Sequence, residues 1–324
     1  MYNPEAIAAA FAAAREDHSK AIALSIEHRE LAEQKNPRFA QIAKQLSLIG
    51  ADIAKSFYSE NPAKSVEALA AESLRLQEER KALLKSMDLP EDYLEPQYSC
   101  KQCSDTGRVN GKICSCIRRR AVDFSLEALA AVSPSERCSF ESFDLSYYKD
   151  MKDENGKSVY EKAKDNLEYL KAYSEDFSEH SKSLYIFGKT GLGKTHLTLA
   201  TANAIIRRGY HVVYGMAGMI FSDIEREKFK SEEGKYTMQK LLEADLLIID
   251  DLGSEFHTSF SASVAHNIIE SRLLANKPII ITTNLDLGGI HRQYGERIAS
   301  RIIGEYVPIR FVGEDIRQLK EFMY

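Results

Sequence analysis

The sequence predicts an α/β fold with a five-stranded parallel sheet, preceded by an all-α region and a small module of four cysteines. Three observations lead to this prediction. A glycine-rich loop stands between a short apolar run and a helix-forming stretch at residues 183–208. From about Ser139, short apolar runs alternate with helical patterns, which is typical of a parallel sheet covered by helices on both faces. The first 90 residues favour helices throughout.

The composition is that of an ordinary globular protein. The 324 residues are 44% hydrophobic and 28% charged, and this length favours two or more domains. The net charge of −5 neither supports nor excludes a nucleic-acid partner, because it hides any local basic surface. The apolar run Ala6–Ala14 is too short to span a membrane and follows no basic stretch. We therefore expect a cytoplasmic protein without a membrane partner.

Three Asn-Pro pairs divide the first 90 residues into three predicted helices, near residues 5–35, 38–59 and 63–87. Asn accepts a free first-turn N–H as an N-cap, and Pro at the first helical position has no N–H to leave unpaired. The middle helix carries an apolar stripe at three- and four-residue spacings, which favours burial against a neighbour. The region is either a structural bundle or a docking module for a partner protein.

Four of the five cysteines lie close together. Cys100 and Cys103 form a C-x-x-C pair, a ten-residue return with two glycines follows, and Cys114 and Cys116 close the set as C-x-C. Four thiolates complete the tetrahedral shell of a structural Zn²⁺ and leave no position open for water. Because C-x-C is less common than a second C-x-x-C, free thiols or a redox pair remain alternatives to zinc.

A basic cluster, IRRR at residues 117–120, follows the cysteines. It either contacts phosphates or forms a solvated face. The predicted domains are a helical partner-binding region at 1–95, a zinc-binding module at 96–120, a linker helix at 121–138 and the α/β domain at 139–324.

The stretch from Ser183 to Thr195 is SLYIFGKTGLGKT and has the spacing of a P-loop. Its glycines let backbone N–H groups curl around phosphate oxygens, its lysine reaches the β- and γ-phosphates, and its threonine hydroxyl ligates Mg²⁺. The sequence therefore predicts nucleotide binding here. The residues assigned to the nucleotide are Gly188, Lys189, Thr190, Gly191, Leu192, Gly193, Lys194 and Thr195.

The first predicted strand, at residues 184–187, leads into this loop. Apolar runs predict four further strands at residues 211–215, 246–250, 278–284 and 306–312. Helices are predicted near residues 194–208, 216–230, 260–275 and 288–302.

Two adjacent acids end the buried strand LLIIDD at residues 246–251. This places Asp250 at the edge of the sheet where the phosphates lie, and there it holds Mg²⁺ through water together with Thr195. Asp251 is then placed to polarise the attacking water. Asn284 ends the next strand, and it either orients the same water or simply terminates the strand in a turn.

Arginines toward the C-terminus are candidates for stabilising phosphate charge. Arg297 and Arg301 are four residues apart and lie on one helix face. Such an arginine either acts as an arginine finger on the γ-phosphate of a neighbouring subunit or forms a surface ion pair. Arg317, just after the last predicted strand, supplies a further cation.

Six motifs together resemble the AAA+ ATPases of the DnaC/DnaI helicase loader and IstB group. They are ESFDLSYY, GKTGLGKT, LLIIDDLG, TTNL, GERIASRI and GEDIR, and the resemblance covers about residues 135–324. It implies a five-stranded AAA+ core that binds ATP, with Asn284 as sensor 1, Arg301 as the finger acting in trans and Arg317 as a sensor-2-like residue.

Two departures from the wider AAA+ pattern affect the expected activity. The chain stops about a dozen residues after its last predicted strand, so we expect no C-terminal helical lid, as in loaders and IstB. The second acid is Asp251 where AAA+ ATPases usually carry Glu. Because Asp reaches less far, we expect a slow ATPase, which suits a molecular switch.

The front half resembles the loader arrangement more loosely, through YSCKQCSDTG and CSC. In that arrangement the helical and zinc region binds the replicative hexameric helicase, while the AAA+ parts self-associate and grip single-stranded DNA. Basic residues interleaved with aromatics suit such DNA contact, or simply form a surface loop. They are Lys228, Phe229, Lys230, Lys235 and Tyr236.

The leading hypothesis is therefore an ATP-dependent helicase loader. The alternatives are an IstB-type transposition helper ATPase and a nucleotide-switch adaptor that does not hydrolyse ATP.

Overall fold

The computed structural model describes residues 2–56, 62–229 and 236–317. The chain separates into two compact units. We call Met1–Ala10 together with Arg118–Tyr324 the sheet unit, and Phe11–Ile117 the helical unit. None of the described helices combines the length and the apolarity that a membrane span requires.

Three long helices occupy the front of the chain, as predicted: α1 (Pro4–Lys35), α2 (Arg38–Ser56) and α3 (Pro62–Ser86). The Asn3 side chain accepts the N–H of Glu5 at 2.9 Å, and the Asn36 side chain accepts the N–H of Arg38 at 3.0 Å. The predicted end of the second helix near residue 59 lies outside the described residues.

Helices α2 and α3 pack through an apolar seam that contains Ile42, Ile49 and Leu76. Ile42 and Leu76 are completely buried, and each such side chain contributes about 1.5–3 kcal/mol of transfer free energy. The predicted stripe of the middle helix therefore does bury against a neighbouring helix. A short antiparallel hairpin of β1 (Arg108–Val109) and β2 (Lys112–Ile113) follows within the cysteine-rich segment.

The sheet unit contains the predicted five-stranded sheet, with every strand pair parallel. Its strands are β3 (Ser183–Phe187), β4 (Val212–Met216), β5 (Leu246–Leu252), β6 (Ile279–Thr283) and β7 (Tyr306–Arg310). Their order in the sheet is β4-β5-β6-β3-β7. Each strand lies within two residues of its predicted bounds, and the fold class is confirmed.

Helices cover both faces of this sheet, and one further helix at the start leads into the sheet unit. They are α4 (Ser115–Val132), α5 (Val159–Glu175), α6 (Lys194–Arg207), α7 (Ala217–Phe229), α8 (Tyr236–Glu243), α9 (Ser259–Leu274), α10 (Leu287–Tyr294) and α11 (Glu296–Glu305). The prediction of a single helix near residues 288–302 is wrong. The structure has two helices there, because Gly295, with φ of 87°, separates α10 from α11. Helices α5 and α8 were not predicted.

Successive residues of the central strands bury on opposite faces, which divides the core in two. On one face Leu184 and Ile248 pack with residues of α5 and α6. On the other face Tyr185 and Ile249 pack with residues of α7, α9 and α11. Burial on both faces is why these strands are continuously apolar in sequence.

Arg272 of α9 is a fully buried cation that joins three segments. Its guanidinium donates to the carbonyls of Leu241 at 2.7 Å, Ala244 at 3.0 Å and Pro278 at 2.8 Å. Burial lowers the pKa of Arg272 to about 10, so the side chain remains protonated at neutral pH. It therefore satisfies the carboxyl end of α8 and the start of β6.

Replacing Arg272 by methionine is expected to destabilise the fold by about 3 kcal/mol or more, because several buried carbonyls lose their donor. Chemical denaturation measures this change. Arg226→Met is the matched control, since Arg226 is exposed and pairs with Asp223 on its own helix. It should change stability by about 0.5 kcal/mol or less. Equal stability of the two variants would contradict the assigned role.

Candidate nucleotide site and cysteine cluster

The loop between β3 and α6 has the backbone that phosphate binding requires. Gly193 adopts a left-handed conformation, with φ of 83°, directly before the first turn of α6. A Cβ at Gly188 would lie 2.3 Å from the carbonyl oxygen of Phe311, so only glycine fits there. The free N–H groups of the first turn of α6 therefore lie at the end of this loop, where anions bind favourably.

Lys194 lies over this loop, only 8% exposed. Its Nζ donates to the carbonyl oxygens of Gly188 at 2.8 Å and Lys189 at 2.7 Å. Burial lowers the pKa of Lys194, and the carboxylates of Asp251 and Asp250 oppose that shift. The ammonium and both acids thus share one edge of the sheet.

Asp250 is the most enclosed acid of the site, at 3% exposed. Thr195 Oγ1 donates to its carboxylate at 3.1–3.2 Å, Tyr214 OH donates at 2.7 Å, and Thr282 Oγ1 also donates. A P-loop hydroxyl beside a buried carboxylate is an arrangement suited to Mg²⁺. Sequence reasoning missed Tyr214 and Thr282, although both lie on strands that flank β5.

Asp251 occupies a bulge in β5. Ile249 pairs with Ile281 and Leu252 pairs with Thr283, so β5 has one extra residue at this point. The φ of Asp251 is 57°, and its N–H donates to Thr282 Oγ1 at 2.9 Å. Asp is enriched several-fold among non-glycine residues in this region of φ. The backbone therefore offers a local reason for aspartate at this position.

A cleft of about 1190 Å³ adjoins the P-loop. Asn284, exposed just beyond the end of β6, lies on its wall. The cleft is also lined by Tyr147, Gly188, Lys189, Leu192 and Phe311. It thus offers both apolar and polar surface beside the phosphate loop.

Arg301 does not lie near the P-loop of its own chain. Its guanidinium donates to both carboxylate oxygens of Glu270, at 2.8 and 3.0 Å. The two residues line a cleft with Ser183, the first residue of β3, whereas the P-loop follows the last residue of that strand. Arg301 therefore lies at the amino ends of the strands, and the P-loop lies at their carboxyl ends.

Arg317 lies in a segment that contacts the P-loop. The N–H of Ile316 donates to the carbonyl oxygen of Gly191 at 3.1 Å. After burial, which is the largest cause, the charge of Arg317 also lowers the pKa of Lys194. Of the predicted DNA-contacting residues, Lys228 has its ammonium 5.2 Å from the ring centre of Phe260. Lys230 and Lys235 lie outside the described residues.

The helical unit brings the four predicted cysteines together. The sulfur atoms of Cys100, Cys103, Cys114 and Cys116 lie within 4.8 Å of one another. Two of the sulfur pairs, at 3.8 and 3.5 Å, are near the ~3.8 Å edge of a tetrahedron with ~2.3 Å metal–sulfur bonds. A buried Asp105 carboxylate accepts the N–H groups of Ser99 and Cys100, each at 2.8 Å. The cluster could therefore hold a metal ion.

These features define a P-loop nucleotide-binding protein with a central parallel sheet. The family model for IstB-like ATP binding protein matches residues 134–305, which is more than half of the 324-residue chain. The chain belongs to this ATP-binding family, and the family membership predicted from the motifs is confirmed.

Two curated relatives show how far the similarity extends. The phage-like element PBSX protein XkdC of Bacillus subtilis is 29% identical over 233 residues, which cover 66% of this chain and 82% of XkdC. The replicative helicase loader DnaC of Escherichia coli is 29% identical over 139 residues, which cover 42% of this chain and 56% of DnaC. The match to DnaC thus spans little more than half of that protein.

Among solved structures, the crystal structure of the DnaC helicase loader is similar with a TM-score of 0.48 and 21% identity. The similarity covers 56% of this chain and all of that one.

Proposed function

We propose that the protein is an ATP-dependent loader of the replicative hexameric helicase onto single-stranded DNA. The observation that carries this proposal is the convergence of Lys194, Thr195 and Asp250 on one sheet edge, in a chain of an ATP-binding family. The family description alone suits a transposition helper equally well. The relatives named as replicative helicase loaders, together with the helical and cysteine-rich unit, favour loading.

In this proposal the P-loop holds the triphosphate of ATP. Backbone N–H groups at the start of α6 bind its oxygens, and Lys194 exchanges its two carbonyl partners for the β- and γ-phosphates. Thr195 and Asp250 would hold Mg²⁺, which would neutralise the charge that develops on the phosphates. Asp251 polarises the attacking water and Asn284 orients it. The short side chain of Asp251 makes turnover slow, as suits a switch.

A second copy of the chain completes the site with Arg301. Within one chain, Arg301 lies beside the start of β3 and the P-loop follows its end. The guanidinium therefore serves the P-loop of a neighbouring copy in a head-to-tail assembly. The present partner of Arg301 is Glu270, in a partly exposed ion pair with two hydrogen bonds. A γ-phosphate would replace the carboxylate as the anion, so the guanidinium keeps a charge-assisted partner when it moves. Arg317 adds a cation from the same chain.

The helical region at 1–95 and the cysteine module at 96–120 form the helicase-binding part of the proposal. The linker at 121–138, whose helical part is the end of α4 (Ser115–Val132), joins them to the ATPase domain at 139–324. Four thiolates whose sulfur atoms lie within 4.8 Å of one another suit a structural Zn²⁺, which would fix the fold of the module. The basic and aromatic segment around Lys228 contacts single-stranded DNA through phosphates and stacking.

Co-purification of the full-length protein with the cognate hexameric helicase tests this proposal. We expect a complex that forms with ATP and dissociates after hydrolysis on single-stranded DNA. Absence of any complex with the helicase, or a complex with a transposase instead, would overturn the loading function.

A further inference from the structure

The segment after Asp251 is tied to the end of α10 by the side chain of Glu255. One carboxylate oxygen accepts the N–H of Gly253 at 2.9 Å, and the other accepts the hydroxyl of Tyr294. Gln293 adds a longer bond of 3.4 Å to the carbonyl oxygen of Gly253. Glu255 therefore links two segments that are 39 residues apart in the chain.

At one end of this link, the backbone around Asp251 is held in a conformation that is rare for a side-chain-bearing residue. The carbonyl oxygen of Asp251 accepts both the N–H of Ser254 at 3.3 Å and its hydroxyl at 2.8 Å. A Cβ at Gly253 would lie 2.4 Å from Leu285 Cδ1, so the turn is also tightly packed. Such backbone persists only where surrounding contacts maintain it.

The other end of the link is the junction that leads to Arg301. Tyr294 is the last residue of α10 and is only 7% exposed. Gly295 follows it and α11, which carries Arg301, begins at the next residue. The ring of His257 lies edge-on against Tyr294, with ring centres 6.1 Å apart. The hydrogen bonds of Glu255 thus connect the turn after Asp251 to the residue that precedes the junction of α10 and α11.

We propose that Glu255 and Tyr294 form a positioning pair that fixes Asp251 relative to α11 and is needed for ATP hydrolysis but not for ATP binding. This inference rests on the proposed function. The hydrogen bonds of Lys194 and Thr195 involve the P-loop and Asp250, so they do not depend on the pair. Misplacement of reacting groups by about 1 Å costs roughly 100-fold in rate.

Glu255→Gln and Tyr294→Phe, alone and combined, test the pair in the full-length protein. Each single variant should lower kcat by at least about 10-fold, with the Kd for a fluorescent ATP analogue unchanged within about two-fold. Because the residues act as one unit, the double variant should be no slower than the slower single variant. The inference would be overturned if the two single losses in kcat multiplied in the double variant, or if the variants kept the kcat of the wild type.

Tyr173→Phe is the matched control, because Tyr173 donates to the carbonyl oxygen of Lys182 at 2.9 Å, away from this loop. If a tyrosine hydrogen bond only stabilises the fold, losing it in either Tyr→Phe variant should lower the melting temperature and leave kcat unchanged. An equal fall of kcat in the control would therefore overturn the assigned positioning role.

The proposed function and the pair fail in different ways. If wild type and Lys194→Ala release phosphate equally slowly, the ATPase proposal fails, and the inference that rests on it fails as well. If wild type shows turnover that depends on Lys194 while both pair variants retain it, only the inference fails.

Discussion

Replacing Lys194 by alanine is expected to lower ATP turnover by about 100- to 1000-fold. The ammonium is the one cation whose Nζ lies within hydrogen-bonding distance of two P-loop carbonyls in the described part of the chain, and in the proposed mechanism it carries the charge that faces the γ-phosphate. Phosphate release at saturating ATP, with and without single-stranded DNA, measures the change.

Lys164→Ala is the control for this prediction. Lys164 is exposed and contacts Glu168 on its own helix at 3.9 Å, so its removal should leave turnover unchanged. A Lys194→Ala protein that hydrolyses ATP as fast as wild type would remove the catalytic assignment of the whole P-loop.

If the four cysteines hold Zn²⁺ as proposed, replacing Cys103 by serine is expected to release the metal and to unfold the cysteine module. The Cys103 thiol is buried and lies 3.5 Å from that of Cys116, so its loss leaves only three of the four proposed ligands. Structural Zn²⁺ contributes about 10–16 kcal/mol to small zinc-dependent folds. Metal analysis and circular dichroism of the purified full-length protein under reducing conditions measure both effects.

Cys138→Ser is the matched control for the zinc prediction. Cys138 lies in the sheet unit, and its thiol contacts the carbonyl oxygen of Pro134 at 3.3 Å. The variant should keep a full complement of metal. A wild-type protein without bound metal would show that the four cysteines are free thiols or a redox pair.

The parallel sheet was predictable because its strands are apolar on both faces and because turn-forming residues separate them. Helix α5 was equally accessible to sequence reasoning. Val159, Ala163 and Leu170 are buried at helical spacing, and the Ser158 side chain caps the first turn. The short helix α8 offers a weaker signal, since its eight residues span only about two turns.

The immediate surroundings of the two acids were less predictable. The run LLIIDD indicated a buried strand ending in acids, but a bulge that turns Asp251 into positive φ depends on pairing with β6. The same is true of Tyr214 and Thr282, which meet Asp250 only because β4 and β6 flank β5. The sequence of one strand does not indicate which other strands will pair with it in the sheet.

The central claim is that one copy of the protein completes the ATP site of the next with Arg301. Lys194→Ala should have about 100- to 1000-fold lower turnover on its own, and Arg301→Ala about 10³- to 10⁵-fold lower turnover, as is typical of an arginine finger. Mixed together, they should regain part of the wild-type turnover, because an intact P-loop in one subunit meets an intact Arg301 in its neighbour. A mixture as inactive as its two components, or an Arg301→Ala protein with wild-type turnover, would contradict the account.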